Sequence, residues 1–191
     1  MNFTNKTVVI TGSGRGLGKK MALSYAEDGA NVVVTARTEA EINKTAQLIN
    51  DTKKGKALPV KADISKEADV KYLVKETINH FKTIDVLINN AAVHEAVQLL
   101  DTDLSTWKKI LDVNLTGTFL CSKEFGQVMK EQQEGKIINI SSSAANNYFP
   151  GFGAYTASKA GINGLSMVLF EELKKYNINV LTCNLGFVDT Q

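Results

Sequence analysis

Cysteine is scarce in this chain: Cys121 and Cys183 are the only two in 191 residues, and no repeat spacing joins them. That excludes a disulfide scaffold and fits a reducing, cytoplasmic compartment. Histidine is as rare. His80 and His94 lie far apart, so no metal site is expected. Charge of one sign is lacking too. The 22 Lys and Arg against 20 Asp and Glu leave a net charge of +2, which gives no strong field for nucleic acid or a membrane surface. No apolar run approaches the roughly 18 residues of a membrane span. The opening "MNFTNKTVVI" has no charged flank before a long apolar core, so no signal peptide is read there. Low-complexity segments, repeats and linker-like shifts are missing, which points to a single domain over residues 1–191.

What is present is ordinary globular material, 43% hydrophobic, enough for one buried core. Short apolar runs rich in β-branched residues recur: "TVVIT" (7–11), "NVVVT" (31–35), "ALPVKA" (57–62), "DVLIN" (85–89), "KIINIS" (136–141) and "INVLTC" (178–183). Their near-continuous apolarity suits strands buried on both faces. Helical patterns separate them. One runs from Gly16 to Asp28, ended by Gly29. Thr38 opens the next, with Glu41 at capping-box spacing. Ser65 opens a third, Ser105 a fourth running to about Glu131, and a fifth covers about Gly153 to Tyr176. This alternation predicts an α/β fold: a doubly wound parallel sheet, Rossmann-like, with ligands at the carboxyl ends of its strands.

"TGSGRGLG" (11–18) follows the first strand and opens the first helix. It does not fit G-x-G-x-x-G. It fits T-G-x-x-x-G-x-G, through Thr11, Gly12, Gly16 and Gly18. Gly12 would allow a tight turn, Gly16 the approach of a pyrophosphate, and Gly18 close helix packing. The alternative is a glycine-rich turn without a ligand. At the end of the second strand, an NAD site wants a carboxylate for the ribose hydroxyls. Here the position reads Ala36, followed by Arg37, and Arg15 sits inside the glycine loop. Two guanidinium groups suit a 2′-phosphate, so the cofactor is read as NADP(H). The alternative is that both arginines are solvated surface charges.

In "YTASK", Tyr155 and Lys159 are four apart and share a helix face. A lysine cation roughly 5 Å from a phenol, at an effective dielectric near 20, contributes about 3 kcal/mol, or roughly two pKa units. That would bring tyrosine toward useful acid/base chemistry at neutral pH. Ser142 lies at the end of a strand, flanked by Ser141 and Ser143. Ile110, Asn114, Thr118, Cys121 and Phe125 form one stripe with Trp107, so the Asn114 amide must find partners or cost roughly 1–3 kcal/mol. A satisfied core asparagine is the simpler reading.

With these residues in place, the chain resembles the classical short-chain dehydrogenase/reductase family over essentially its whole length. The motifs are "TGSGRGLG", "NNAA" (89–92), "VNLTG" (113–117), "ISSS" (140–143), "YTASK" (155–159) and "NLGFVDT" (184–190), in family order. Ala92 stands where the family has glycine, and Leu185 where it has proline. The resemblance implies strand order 3-2-1-4-5-6. It implies that Tyr155 is the acid/base and that Lys159 also binds the nicotinamide ribose. Ser142 would bond the substrate oxygen, and Asn114 would hold a water leading to Lys159. Cofactor contacts would come from Gly12, Ser13, Arg15, Gly16, Leu17, Gly18, Arg37, Asp63 (to the adenine), Asn90, Gly186, Val188 and Thr190. The implied activity is hydride transfer between NADP(H) and a carbonyl or hydroxyl substrate, as in a ketone reductase, an alcohol dehydrogenase or a 3-oxoacyl reductase-like enzyme. The alternative is an NADP(H)-binding sensor without turnover. The fourth and fifth helices would form the faces of a homodimer or homotetramer. Family members continue past the region matched here with a substrate-covering loop, a further helix and a seventh strand, so the chain is expected to be incomplete at its C-terminus relative to the family.

Overall fold

The computed structural model describes residues 3–186. Six parallel strands form its sheet: β1 (Thr7–Thr11), β2 (Asn31–Ala36), β3 (Lys56–Lys61), β4 (Val86–Asn89), β5 (Gly135–Ser142) and β6 (Ile178–Leu185). Their order is β3-β2-β1-β4-β5-β6, the one the family resemblance implies. β1 pairs with β2 from Thr7 opposite Asn31 to Thr11 opposite Thr35, and on its other side with β4. The chain reverses its direction of travel across the sheet between β1 and β4, where ligands bind in such sheets.

Helices cover both faces. α1 (Gly16–Glu27) and α2 (Glu39–Thr52) lie on one side, with Ala22, Ala26, Ile42 and Ile49 packed on Val8, Ile10, Val32 and Val34. On the other side lie α3 (Glu67–Phe81), α5 (Gly117–Gln132) and the end of α6 (Gly153–Leu173), where Leu73, Phe125 and Met129 meet Val9, Val33, Leu87 and Ile137. Neighbouring strand residues serve opposite cores, which is why these strands read as continuous apolar runs rather than alternating ones.

Several helix starts differ from the sequence expectation. The predicted fourth helix is two, α4 (Leu104–Leu111) and α5, joined by a π-turn over Asp112–Thr116. Asp103, not Ser105, caps α4: its carboxylate accepts from the Thr106 amide at 2.7 Å. Ser105 instead donates to Asp103. α3 starts after Lys66, and the Ser65 hydroxyl donates to the Asp63 carboxylate at 2.7 Å. Thr38 does precede α2, but its side chain makes no capping bond.

Candidate active site

The strand-to-helix turn after β1 is built from residues that tolerate what it asks. Gly12 and Gly16 have φ of +67° and +55°, a region that disfavours side chains. A β-carbon on Gly12 would sit 2.8 Å from Ala91 Cα, and one on Gly18 would strike the Gly12 carbonyl and lie 2.6 Å from the Asn90 amide. Glycine here lets the turn, the segment after β4 and α1 close on one another. Thr11 locks that closure, its hydroxyl accepting from the Asn90 and Ala91 amides at 3.0 Å each. Asn90 adds a bond from its own amide group to the Thr11 carbonyl at 2.9 Å. No side-chain bond caps the amides at the start of α1. Beside this helix start lies a groove of about 350 Å³ that Gly12, Gly14, Gly16, Leu17 and Gly18 line. Arg15, Arg37 and Asp63 line the same groove.

Ser13 does not join them. It is fully buried, donating to the Ile10 carbonyl at 2.6 Å and accepting from the Thr35 amide at 3.0 Å. Its own amide goes to the Thr35 carbonyl. These bonds clasp the ends of β1 and β2.

A second cavity of about 350 Å³ adjoins the groove, sharing Leu17, Asn90 and Ala92 with it. Ser142, Tyr155, Lys159 and Gly186 line this cavity. Val188 and Thr190 lie outside the described residues. The end of β5 delivers Ser142, and the first turns of α6 deliver Tyr155 and Lys159. Lys159 is buried, its Nζ donating to the Ile140 carbonyl at 2.7 Å and standing 5.5 Å from the centre of the Tyr155 ring. Burial pulls its pKa down to about 8. Tyr155 moves the other way. Burial raises its pKa, and a hydrogen bond with Ser142 opposes the rise. Burial and the Ser142 hydrogen bond set the direction at Tyr155, while the Lys159 ammonium is turned to the Ile140 carbonyl.

Asn114, in the π-turn, is fully buried and satisfied. Its side chain accepts from the Val93 amide at 2.8 Å, and donates to the Val93 carbonyl at 2.9 Å and the Ser158 hydroxyl at 3.1 Å. Ser158 in turn donates to the Tyr155 carbonyl at 2.6 Å. The amide thus ties the segment after β4 to the turn of α6 that carries Tyr155 and Lys159. Its own carbonyl accepts from Thr118.

Sequence reasoning missed the aromatic wall of the second cavity. His94 lies against Phe152, with ring centres 4.2 Å apart, and edge-on to Tyr155 at 5.2 Å. Phe149 also lines the cavity. Nothing in their sequence spacing marks them, since 94 and 152 meet only through the sheet. Glu41 was missed as well. Read as a capping partner, it faces the glycine groove.

A family profile described as short chain dehydrogenase matches residues 6–191. The chain belongs to the short chain dehydrogenase family. It is 36% identical to a 3-oxoacyl-[acyl-carrier-protein] reductase of Synechocystis sp., covering 98% of this chain and 76% of that protein. It is 37% identical to an uncharacterized oxidoreductase of Thermotoga maritima, covering 94% of this chain and 70% of that one. Among solved structures, an NAD+-bound xylitol dehydrogenase superposes with a TM-score of 0.96 at 27% identity, over all of this chain and 74% of that one. The chain thus spans about three quarters of the length of these short chain dehydrogenases.

Proposed function

We propose that this short chain dehydrogenase is an NADP(H)-dependent carbonyl reductase or alcohol dehydrogenase, with the dinucleotide in the glycine groove and the substrate against Ser142 and Tyr155. The observation that carries the reading is the continuity of the two cavities. A glycine-lined, uncapped helix start opens into a pocket where a hydroxyl, a phenol and a buried amine converge.

The bound nicotinamide would supply the hydride. The chain's own residues would handle the oxygen. Ser142 donates a hydrogen bond to the carbonyl and holds the charge that develops there. Tyr155 gives that oxygen its proton and takes it back in the oxidative direction. Lys159 bonds the nicotinamide ribose and keeps positive charge beside the phenol. Asn114 is a positioning residue that holds the Tyr155 turn against the segment after β4. Arg15 and Arg37 meet the 2′-phosphate, Asp63 the adenine, and Asn90 backs the cradle. The bound NAD+ of the xylitol dehydrogenase makes NADH the natural competitor in any binding test.

A 3-oxoacyl substrate is favoured by the name of the Synechocystis relative. A homodimer or homotetramer would form through α5 and α6, where Phe119 and Val168 are exposed. No nucleic acid or membrane partner is invoked, and the compartment is taken to be cytoplasmic.

The test is NADPH consumption with a panel of ketones and 3-oxoacyl thioesters. Turnover of any of them supports the reading. Tight NADPH binding with no turnover of any carbonyl replaces it with a non-catalytic nucleotide binder.

A further inference from the structure

The groove that holds Arg15 and Arg37 also holds a carboxylate. Glu41, in the first turn of α2, lines it together with Thr38 and both arginines. One Glu41 oxygen lies 3.9 Å from an Arg15 nitrogen. The backbone explains the approach. A β-carbon on Gly14 would lie 2.9 Å from Glu41 Cβ, so only glycine lets the loop rest this closely on α2. The Thr45 hydroxyl fastens the contact by donating to the Gly14 carbonyl at 3.1 Å. Glu39, in the same helical turn, points elsewhere and pairs with Lys61 across 3.7 Å.

We propose that Glu41 is a specificity-determining residue, which weakens the preference for a 2′-phosphate by competing with it for Arg15. The proposal rests on the assignment of Arg15 and Arg37 to that phosphate. Arg15 is 85% exposed and Glu41 35% exposed, so their pair is loose and screened. A dianionic phosphate is the stronger partner for a guanidinium. It must still displace Glu41 and accept a carboxylate as a neighbour. A dinucleotide bearing only ribose hydroxyls incurs neither penalty. Glu41 therefore narrows the gap between NADPH and NADH.

The chain is titrated with NADPH and with NADH, following cofactor fluorescence, before and after Glu41→Gln. Glu41→Gln should tighten NADPH by about three- to tenfold and leave NADH within about twofold. Salt near 0.5 M should erase most of the gain. In an Arg15→Ala background the gain should shrink, because the contested group is gone and only the carboxylate's repulsion of the phosphate remains. The proposal is overturned if the NADPH-to-NADH ratio does not move, if both cofactors weaken together, or if the full gain survives in the Arg15→Ala background. Glu41→Ala repeats the measurement should the glutamine variant misfold. Failure of the NADP(H) reading is a separate result. It would show as tighter NADH binding by the unsubstituted chain, whereas this proposal is judged on the change in the ratio.

Discussion

Lys159 points its ammonium at the Ile140 carbonyl, 2.7 Å away, rather than at the Tyr155 hydroxyl. Both groups belong to one cavity, yet the lysine is anchored to the strand while the phenol faces Ser142. Catalysis on the proposed lines places the amine between the two, within reach of the sheet and of the cofactor ribose.

The first prediction follows from the cost of that burial. The Lys159 pKa falls from 10.5 to about 8. Between those values the unfolded chain holds a proton that the folded chain does not. Folding stability therefore rises with pH across that window, and the penalty is fully present below pH 8. Lys159→Met should be more stable than the parent at pH 7 by about 1–3 kcal/mol. The gap should shrink as pH climbs from 8 toward 10. Urea denaturation at pH 7, 8 and 9 checks this, and a constant gap would count against it.

Asn114→Ala removes three hydrogen bonds from a buried site and strands the Val93 amide and carbonyl. A loss of about 2–4 kcal/mol is expected, read as a lower urea midpoint. Because the Tyr155 turn loses its tie, kcat should fall more than cofactor affinity does.

Two glycines in helices should respond in opposite ways to alanine. At Gly18 the added methyl meets the Gly12 carbonyl and the Asn90 amide, so dinucleotide binding should weaken at least tenfold and stability should drop by about 1–3 kcal/mol. At Gly164 a β-carbon has nothing within 4 Å, so alanine should stabilise α6 by about 0.5–1 kcal/mol. Cofactor titration and thermal melts separate the two.

Tyr155→Phe keeps the ring against His94 but removes the proton donor. Turnover should fall by about 10²- to 10⁴-fold while NADPH binding stays within about threefold. An active Phe variant would transfer the proton role to another group.

The two thiols should differ in reactivity. Cys121 is buried and its pKa is pushed up to about 12 by desolvation, whereas Cys183 is exposed. A thiol reagent at pH 8 should modify Cys183 in the folded chain and reach Cys121 only after denaturation. Mass spectrometry of the labelled peptides reads the outcome.

Much of the architecture was legible from local pattern. "TVVIT" is β1 residue for residue, and the other apolar runs lie within a residue or two of their strands. The β-branched runs needed two helical layers to bury both faces, and right-handed crossovers make such a sheet doubly wound, whereas the strand order was implied by the family resemblance. Tyr155 and Lys159 could be placed on one helix face from their spacing alone. Less local features escaped. The π-turn at Asp112–Thr116 has no signature in a helical stripe that simply continues through it. Asp103 and Ser105 are both good caps by residue type, and Asp103 is the one whose carboxylate takes the Thr106 amide.

By itself the sequence determined which segments are strands and helices, where the glycines relax the backbone, and which chemical groups each segment carries, because propensity and periodicity act over a few residues. Tertiary packing alone decided that Ser13 turns inward, that Glu41 faces Arg15 across the groove, and that His94 meets Phe152 and Tyr155. Those partners are separated by 22 to 61 residues (Ser13 to Thr35, His94 to Tyr155), and their contacts exist only once the sheet has set the distances between loops.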